Sequence, residues 1–359
     1  MHPYKTAPAI AFWSRTVSAG FDPRQACSRD GPLIRTTDLV ASAGSCFASN
    51  LVPYLERAGL RYLRTEPPHP ALADAPAENL GYANFSAAYG NVYTPRQLLQ
   101  LLRRALGRFR PAEDRWHCDG SVVDPYRPGL RYRASCDAEF DLLTAQHLRA
   151  VGEVFRQATV FIFTLGLTEA WVSAADGAVF PACPGTVAGQ FDGGQHRFVN
   201  FSVAEVTADL DAFVTELRQV NPAVRLILTV SPVPLVATAT GGHVLPASVY
   251  SKSVLRVAAE EVRQQHADVT YFPAYEIVSG PQAPEAFYAA DRRNVTDVAV
   301  QTVMGAFLAA CGIEASGVAA PARAPAASGD AAARLSQIIA GAECEELMAD
   351  EALLGARRP

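Results

Sequence analysis

The chain has 359 residues, 49% of them hydrophobic and 19% charged, with a formal net charge of -5. That balance is ordinary for a globular protein and supplies no basic field for a nucleic-acid backbone, so nucleic-acid partners are set aside. No apolar stretch approaches the roughly 18 residues of a membrane span, and Met1-His2-Pro3-Tyr4-Lys5 lacks the apolar core of a signal segment, so a cytoplasmic location is expected.

In chain order, Asp38 to Ala43 reads as a short buried strand that ends at Gly44 and feeds an amphipathic helix with Leu51, Tyr54, Leu55 and Ala58 on one face, stopped by Gly59. Leu60 to Leu63 is strand-like and leads into a proline-rich loop, Glu66 to Pro76. Thr94-Pro95 opens a helix through about Phe109, the hydroxyl as cap and the proline at the first position. Arg110 to Ser135 is irregular and is expected to form an inserted β-rich flap.

From Phe140 the pattern becomes regular. A helix to about Gln157 precedes Thr159 to Leu165, a β-branched and aromatic run typical of a parallel strand buried on both faces. Trp171 to Phe180 predicts a hairpin around Asp176-Gly177. Ser202-Val203-Ala204-Glu205 is a capping box for a helix that Asn221-Pro222 ends, and Val224 to Val230 is the next strand. A helix from about Ala247 to His266, a strand from Val269 to Pro273 and a helix from Thr296 through Cys311 complete the regular part. Strands alternating with helices predict an α/β protein with a doubly wound, mostly parallel sheet. Beyond Gly312, Glu314 to Asp330 is Ala/Pro-rich and reads as a linker, and Leu335, Ile338, Ile339 and Leu347 suggest a terminal amphipathic helix.

In open parallel sheets, ligands bind outside the carboxyl ends of the strands, so the residues just after each buried run carry the information. Here those are Gly44-Ser45-Cys46, Gly166-Leu167-Thr168-Glu169, Ser231-Pro232 and Tyr275-Glu276. Ser45, at a strand-to-helix turn, is expected to project its hydroxyl from the rim, with backbone N–H groups nearby to hold an oxyanion. The blander alternative is a helix cap. Cys46 is a second candidate nucleophile, activated by the same helix start. Gly90 and Gly166 can allow close backbone approach to a bound group. Glu169 either orients a polar substrate or is a buried structural carboxylate. Among histidines, His243 in a Gly-Gly-His-Val loop and His196 in a polar loop are candidate bases, ahead of His69, His117, His147 and His266. The seven cysteines are scattered without a C-x-x-C pair, and read as reduced thiols. Dinucleotide, Walker, zinc-protease and G-x-S-x-G motifs are missing, so neither a cofactor nor a metal is expected.

Gly44-Ser45-Cys46-Phe47-Ala48 matches the motif that names the GSCFA family. Phe163 to Trp171, Thr229 to Pro234, Tyr250 to Ser253 and Tyr271 to Glu276 resemble further blocks of that family in order, so that residues 30 to 311 are covered. The family is similar to SGNH/GDSL hydrolases. That resemblance implies a flavodoxin-like architecture for a domain over 30–313, followed by a linker (314–330) and a helical tail (331–359). It further implies Ser45 as nucleophile, Gly90 as an oxyanion glycine and Thr168 in place of the oxyanion-hole amide. Asp291-Arg292-Arg293-Asn294 then stands where the Asp-x-x-His block belongs, with Asn294 replacing the histidine. A neutral amide cannot take the serine proton near pH 7. His243 is therefore the preferred substitute base, His196 the next, with Asp291 to orient either. The expected activity is that of a serine esterase or O-acyltransferase on a small-molecule or glycan ester. The alternative, favoured by Asn294, is a catalytically silent glycan-binding or polysaccharide-assembly module.

Overall fold

The computed structural model describes residues 2–27, 31–67, 82, 84–130 and 132–313, without the side chain of Cys46. The expected linker (314–330) and tail helix (331–359), His69 and most of the proline-rich loop lie outside the described residues. In chain order the strands are β1 (Leu39–Ala43), β2 (Arg61–Tyr62), β3 (Trp116–Cys118), β4 (Ser121–Val123), β5 (Val160–Leu165), β6 (Glu169–Ser173), β7 (Val179–Phe180), β8 (His196–Asn200), β9 (Arg225–Val230) and β10 (Val269–Tyr271). The helices are α1 (Trp13–Thr16), α2 (Cys46–Ser49), α3 (Leu51–Arg57), α4 (Pro95–Ala105), α5 (Asp137–Gln157), α6 (Val203–Val220), α7 (Val244–Gln265), α8 (Ala274–Ser279) and α9 (Asp297–Ala310).

Five strands form one parallel sheet in the order β10-β9-β5-β1-β2. The side-chain period of 2 sorts their residues onto two faces. Ala41, Ala43, Phe161, Phe163, Leu226 and Leu228 meet α4, α5, α6 and α7. Val40, Val160, Ile162 and Ile227 meet α3, α8 and α9 on the other face. Helices on both faces explain why β5 and β9 read as almost unbroken apolar runs. The architecture is the doubly wound, flavodoxin-like one that the alternation of elements predicts. From β1 the chain first adds β2 on one side and then β5 on the other, so the winding reverses at β1 and opens a crevice at the carboxyl ends of β1 and β5.

Local chemistry sets the element ends much as expected. Thr94 caps α4, Ser202 and Glu205 close a full capping box on α6, and Thr296 caps α9. Two features differ from the sequence reading. The polar stretch before Ser202 is a strand, β8, which pairs antiparallel with β6 and completes a three-stranded sheet in the order β7-β6-β8. Its alternation is hidden because only His196 in β8 is buried. The strand β10 stops at Tyr271, and Ala274–Ser279 is helical. The flap contains the hairpin β3–β4, turned at Asp119-Gly120 with φ of 50° and 74°, the pair of left-handed residues that a tight two-residue hairpin needs.

Candidate active site

The crevice at the end of β1 is built by close backbone approach. A Cβ on Gly44 would lie 2.7 Å from Ala48 Cβ, 2.8 Å from Thr164 Cβ and 2.9 Å from Thr164 O, so no other residue fits there. The segment Tyr89–Tyr93 inserts between the two strand ends. Val92 N–H donates to Gly44 O (2.8 Å), and Gly166 N–H (2.9 Å) and Leu167 N–H (3.3 Å) donate to Tyr93 O. Gln97 holds this segment from α4, accepting from Tyr93 N–H at 3.0 Å and donating to Asn91 O at 2.8 Å. Gly90 turns into the segment with φ +66°, a left-handed conformation that favours glycine, and a Cβ on Gly166 would meet Tyr93 at 3.2 Å. Ser45, Gly90 and Gly166, far apart in sequence, are thereby brought to one rim.

Ser45 starts the helical turn α2 in extended backbone, but its hydroxyl makes no capping bond. The residue is only 5% exposed, so it is buried at the end of β1 and does not project from the rim as expected. Among the described residues, the amide N–H groups of Ser45 and Gly90 donate no hydrogen bond. Cys46 is the first residue of α2.

Thr168 does not join them. It is wholly buried, its N–H donates to Ser251 Oγ (3.0 Å) and its hydroxyl donates to Asn200 Oδ1 (2.6 Å). Both donors are committed inward, so the oxyanion role implied by its block position has no group to perform it. Glu169 takes the blander of its two expected roles: its buried carboxylate accepts from Thr238 Oγ1 (2.6 Å) and Ala239 N–H (3.2 Å) and ties β6 to the loop after β9.

The histidines named as bases lie elsewhere. His243 is exposed and caps α7, its Nδ1 accepting from Leu245 N–H at 3.1 Å. It precedes Lys252 on that helix by about 13 Å at the usual rise. His196 is buried at the far end of β8, opposite Ser173, about 13 Å along the strand from the rim-side pair Glu169 and Asn200. There it accepts from Asp192 N–H (3.0 Å) and meets Glu113 Oε2 (2.9 Å). Asp291 and Asn294 form a closed turn. Asp291 Oδ1 accepts from Arg293 N–H and Asn294 N–H at 3.0 Å each, and Asn294 Nδ2 donates to Asp291 Oδ2. Although burial alone would raise the Asp291 carboxyl, these donors hold it below the usual carboxylate range.

The sequence reading overlooked Lys252. It is 3% exposed, and its Nζ donates to Gly166 O at 2.6 Å, delivering a buried amino group to the end of β5. With Ser251 on Thr168, it makes Tyr250-Ser251-Lys252-Ser253 a brace for the rim. A lysine inside an otherwise apolar helix stripe, between Ser251 and Val254, was the available signal.

A flavodoxin-like α/β protein with a buried serine just after its first strand is the class that this fold and rim define. Residues 39–307 match the GSCFA family, well over half of the chain, and the chain belongs to that family. No curated protein matches it. No described helix is long and apolar enough to cross a membrane, and no cluster that could hold a metal ion occurs among the described residues.

Proposed function

We propose that the chain is a serine-dependent esterase or O-acyltransferase that works through an acyl-Ser45 intermediate. The observations that carry this reading are a Ser45 hydroxyl that makes no capping bond, at the strand end where the winding of the sheet reverses, and the amides of Ser45 and Gly90, which donate no hydrogen bond among the described residues. Fixed N–H groups in a water-poor crevice stabilise a developing oxyanion without reorganising, and one such donor contributes about 100-fold or more to turnover. The resemblance to SGNH hydrolases, whose nucleophile and oxyanion glycine fall on these two residues, points the same way.

Asn294 cannot serve as the base, and His243 and His196 sit away from the rim, so the proton acceptor in this reading is Lys252. It is the buried amino group that α7 brings to the end of β5, beside Gly166. In acylation, Ser45 Oγ bonds to the ester carbonyl carbon and the bond from that carbon to the leaving oxygen breaks. The serine proton passes by way of the Lys252 amine to the leaving oxygen. Water or an acceptor hydroxyl, a glycan hydroxyl by the same resemblance, then bonds to the acyl carbon, the bond from that carbon to Ser45 Oγ breaks, and the acceptor's proton passes by way of Lys252 back to Ser45 Oγ.

The test is labelling by a fluorophosphonate probe, followed by intact mass. A single adduct is expected, lost in Ser45→Ala and slowed about 100-fold or more in Lys252→Met, with the circular dichroism of both variants unchanged. The closed Asp291–Asn294 turn favours a second reading, a glycan-binding module without turnover. Failure to label across pH 6 to 9, together with no release from an activated ester, decides for that second reading.

A further inference from the structure

Beside the rim lies a half-open cavity of about 420 Å³, bordered by the sheet β7-β6-β8 on one side and the loop after β9 on the other. We infer that it is the subsite for a medium-length, unbranched acyl chain, so that the ester handled at Ser45 carries roughly eight to ten carbons rather than an acetyl group. The inference rests on the Ser45 reading and deepens it.

The walls are predominantly apolar, with Leu167, Trp171, Phe180, Phe198, Leu235 and Val236 among the lining residues. Several of the polar side chains that border the cavity are engaged within the protein. Glu169 is held by Thr238 Oγ1 and Ala239 N–H, and Gln97 by the Tyr93 and Asn91 backbone. Burial pushes the Cys183 thiol up to about 11, so it is neutral. Among the described residues no lysine, arginine or histidine lines the space. A cavity with no free charge and no basic group selects against phosphate, carboxylate and sugar, and favours hydrocarbon.

Continuity with the crevice follows from two residues. Tyr93 and Leu167 line the cavity, and the same residues bond to each other and to Gly166 at the rim, one position beyond the Val92 contact with Gly44. A carbonyl carbon at Ser45 Oγ therefore leaves its chain pointing past Tyr93 and Leu167. A space of about 420 Å³ falls within the range of small-molecule pockets and has room for a chain on the order of ten carbons.

The experiment compares p-nitrophenyl acetate with p-nitrophenyl octanoate, and measures decanoate binding by calorimetry. Each buried methylene is worth about fourfold, so octanoate should exceed acetate in kcat/KM by on the order of 100-fold or more. Ala237→Trp, on an exposed stretch of the cavity wall, should erase that preference while leaving acetate turnover unchanged, and should abolish decanoate binding. Turnover without a chain-length preference, or a preference that survives Ala237→Trp, overturns the cavity assignment and leaves the Ser45 reading intact. Saturable decanoate binding that Ala237→Trp removes, without turnover of either ester, supports the chain subsite and removes Ser45 from it.

Discussion

Two buried polar regions of this protein are built from similar material and end differently. Beneath the Gly90 turn, Glu66, His147, Arg127, Asp124 and Arg104 are all at least nine-tenths buried. Arg127 meets Asp124 at 2.8 Å and Glu66 at 3.5 Å, and His147 Nδ1 meets Glu66 at 2.7 Å. Glu66 also accepts from Ala88 N–H (2.8 Å), and Arg127 reaches Ala88 O (3.4 Å), so the cluster clamps the segment that leads into Gly90. At the rim, by contrast, the Ser45 hydroxyl makes no capping bond and the Ser45 and Gly90 amides donate to nothing among the described residues. Donors committed to their neighbours make architecture, and donors held in place but uncommitted are what chemistry can use.

The contrast breaks most severely at its hinge. Gly44→Val places atoms where Ala48 Cβ and Thr164 O already sit within 2.9 Å of a Cβ, so little or no soluble folded protein is expected on expression and thermal melting. Arg127→Met comes next. It leaves Glu66 and Asp124 buried without their shared cation, and a loss of about 3–5 kcal/mol is expected by urea unfolding. Glu66→Gln combined with Arg127→Met should recover part of it; a double variant as unstable as the sum would remove the coupling.

Acid tests the same cluster more gently. Burial would raise the Glu66 carboxyl, but His147, Arg127 and the Ala88 N–H bring it down to about 2. Burial, and Arg127 after it, also lowers the His147 imidazole below its ordinary 6.5. Both groups bind protons more readily in the unfolded chain, so their contributions are present at neutral pH. The His147 part fades as pH falls below about 6.5 and the Glu66 part as it falls from about 4.5 toward 2. Stability measured against pH should show those two acid losses in the wild type, and a smaller one in His147→Phe. On the rim side, Ser45→Ala should change unfolding stability by no more than about 0.5 kcal/mol, since its hydroxyl supports no capping bond. A large loss there would mean that the hydroxyl is structural.

Much of the scaffold was written locally. Apolar runs at β5 and β9, the capping residues Thr94, Ser202 and Thr296, and the break at Gly44 define strands and helices through neighbours a few residues away, and period and capping are local properties. The same local grammar marked Ser45, while the replacement of a histidine by Asn294 was visible only through the family resemblance. It missed β8, whose partner β6 lies across a long loop, and it could not tell that Thr168 turns inward toward Ser251 and Asn200, or choose between the two roles open to Glu169, which is held by Thr238.

What the sequence by itself determined, then, is the alternation of strand and helix and the identity of the serine at the end of the first strand, because these follow from backbone preference and hydrophobic period. Only the tertiary structure decided which donors at the rim stay uncommitted, that Lys252 arrives there, and that an apolar cavity adjoins it. Hydrogen bonds and burial between residues scores of positions apart depend on the packing of the whole sheet, and no local pattern records them.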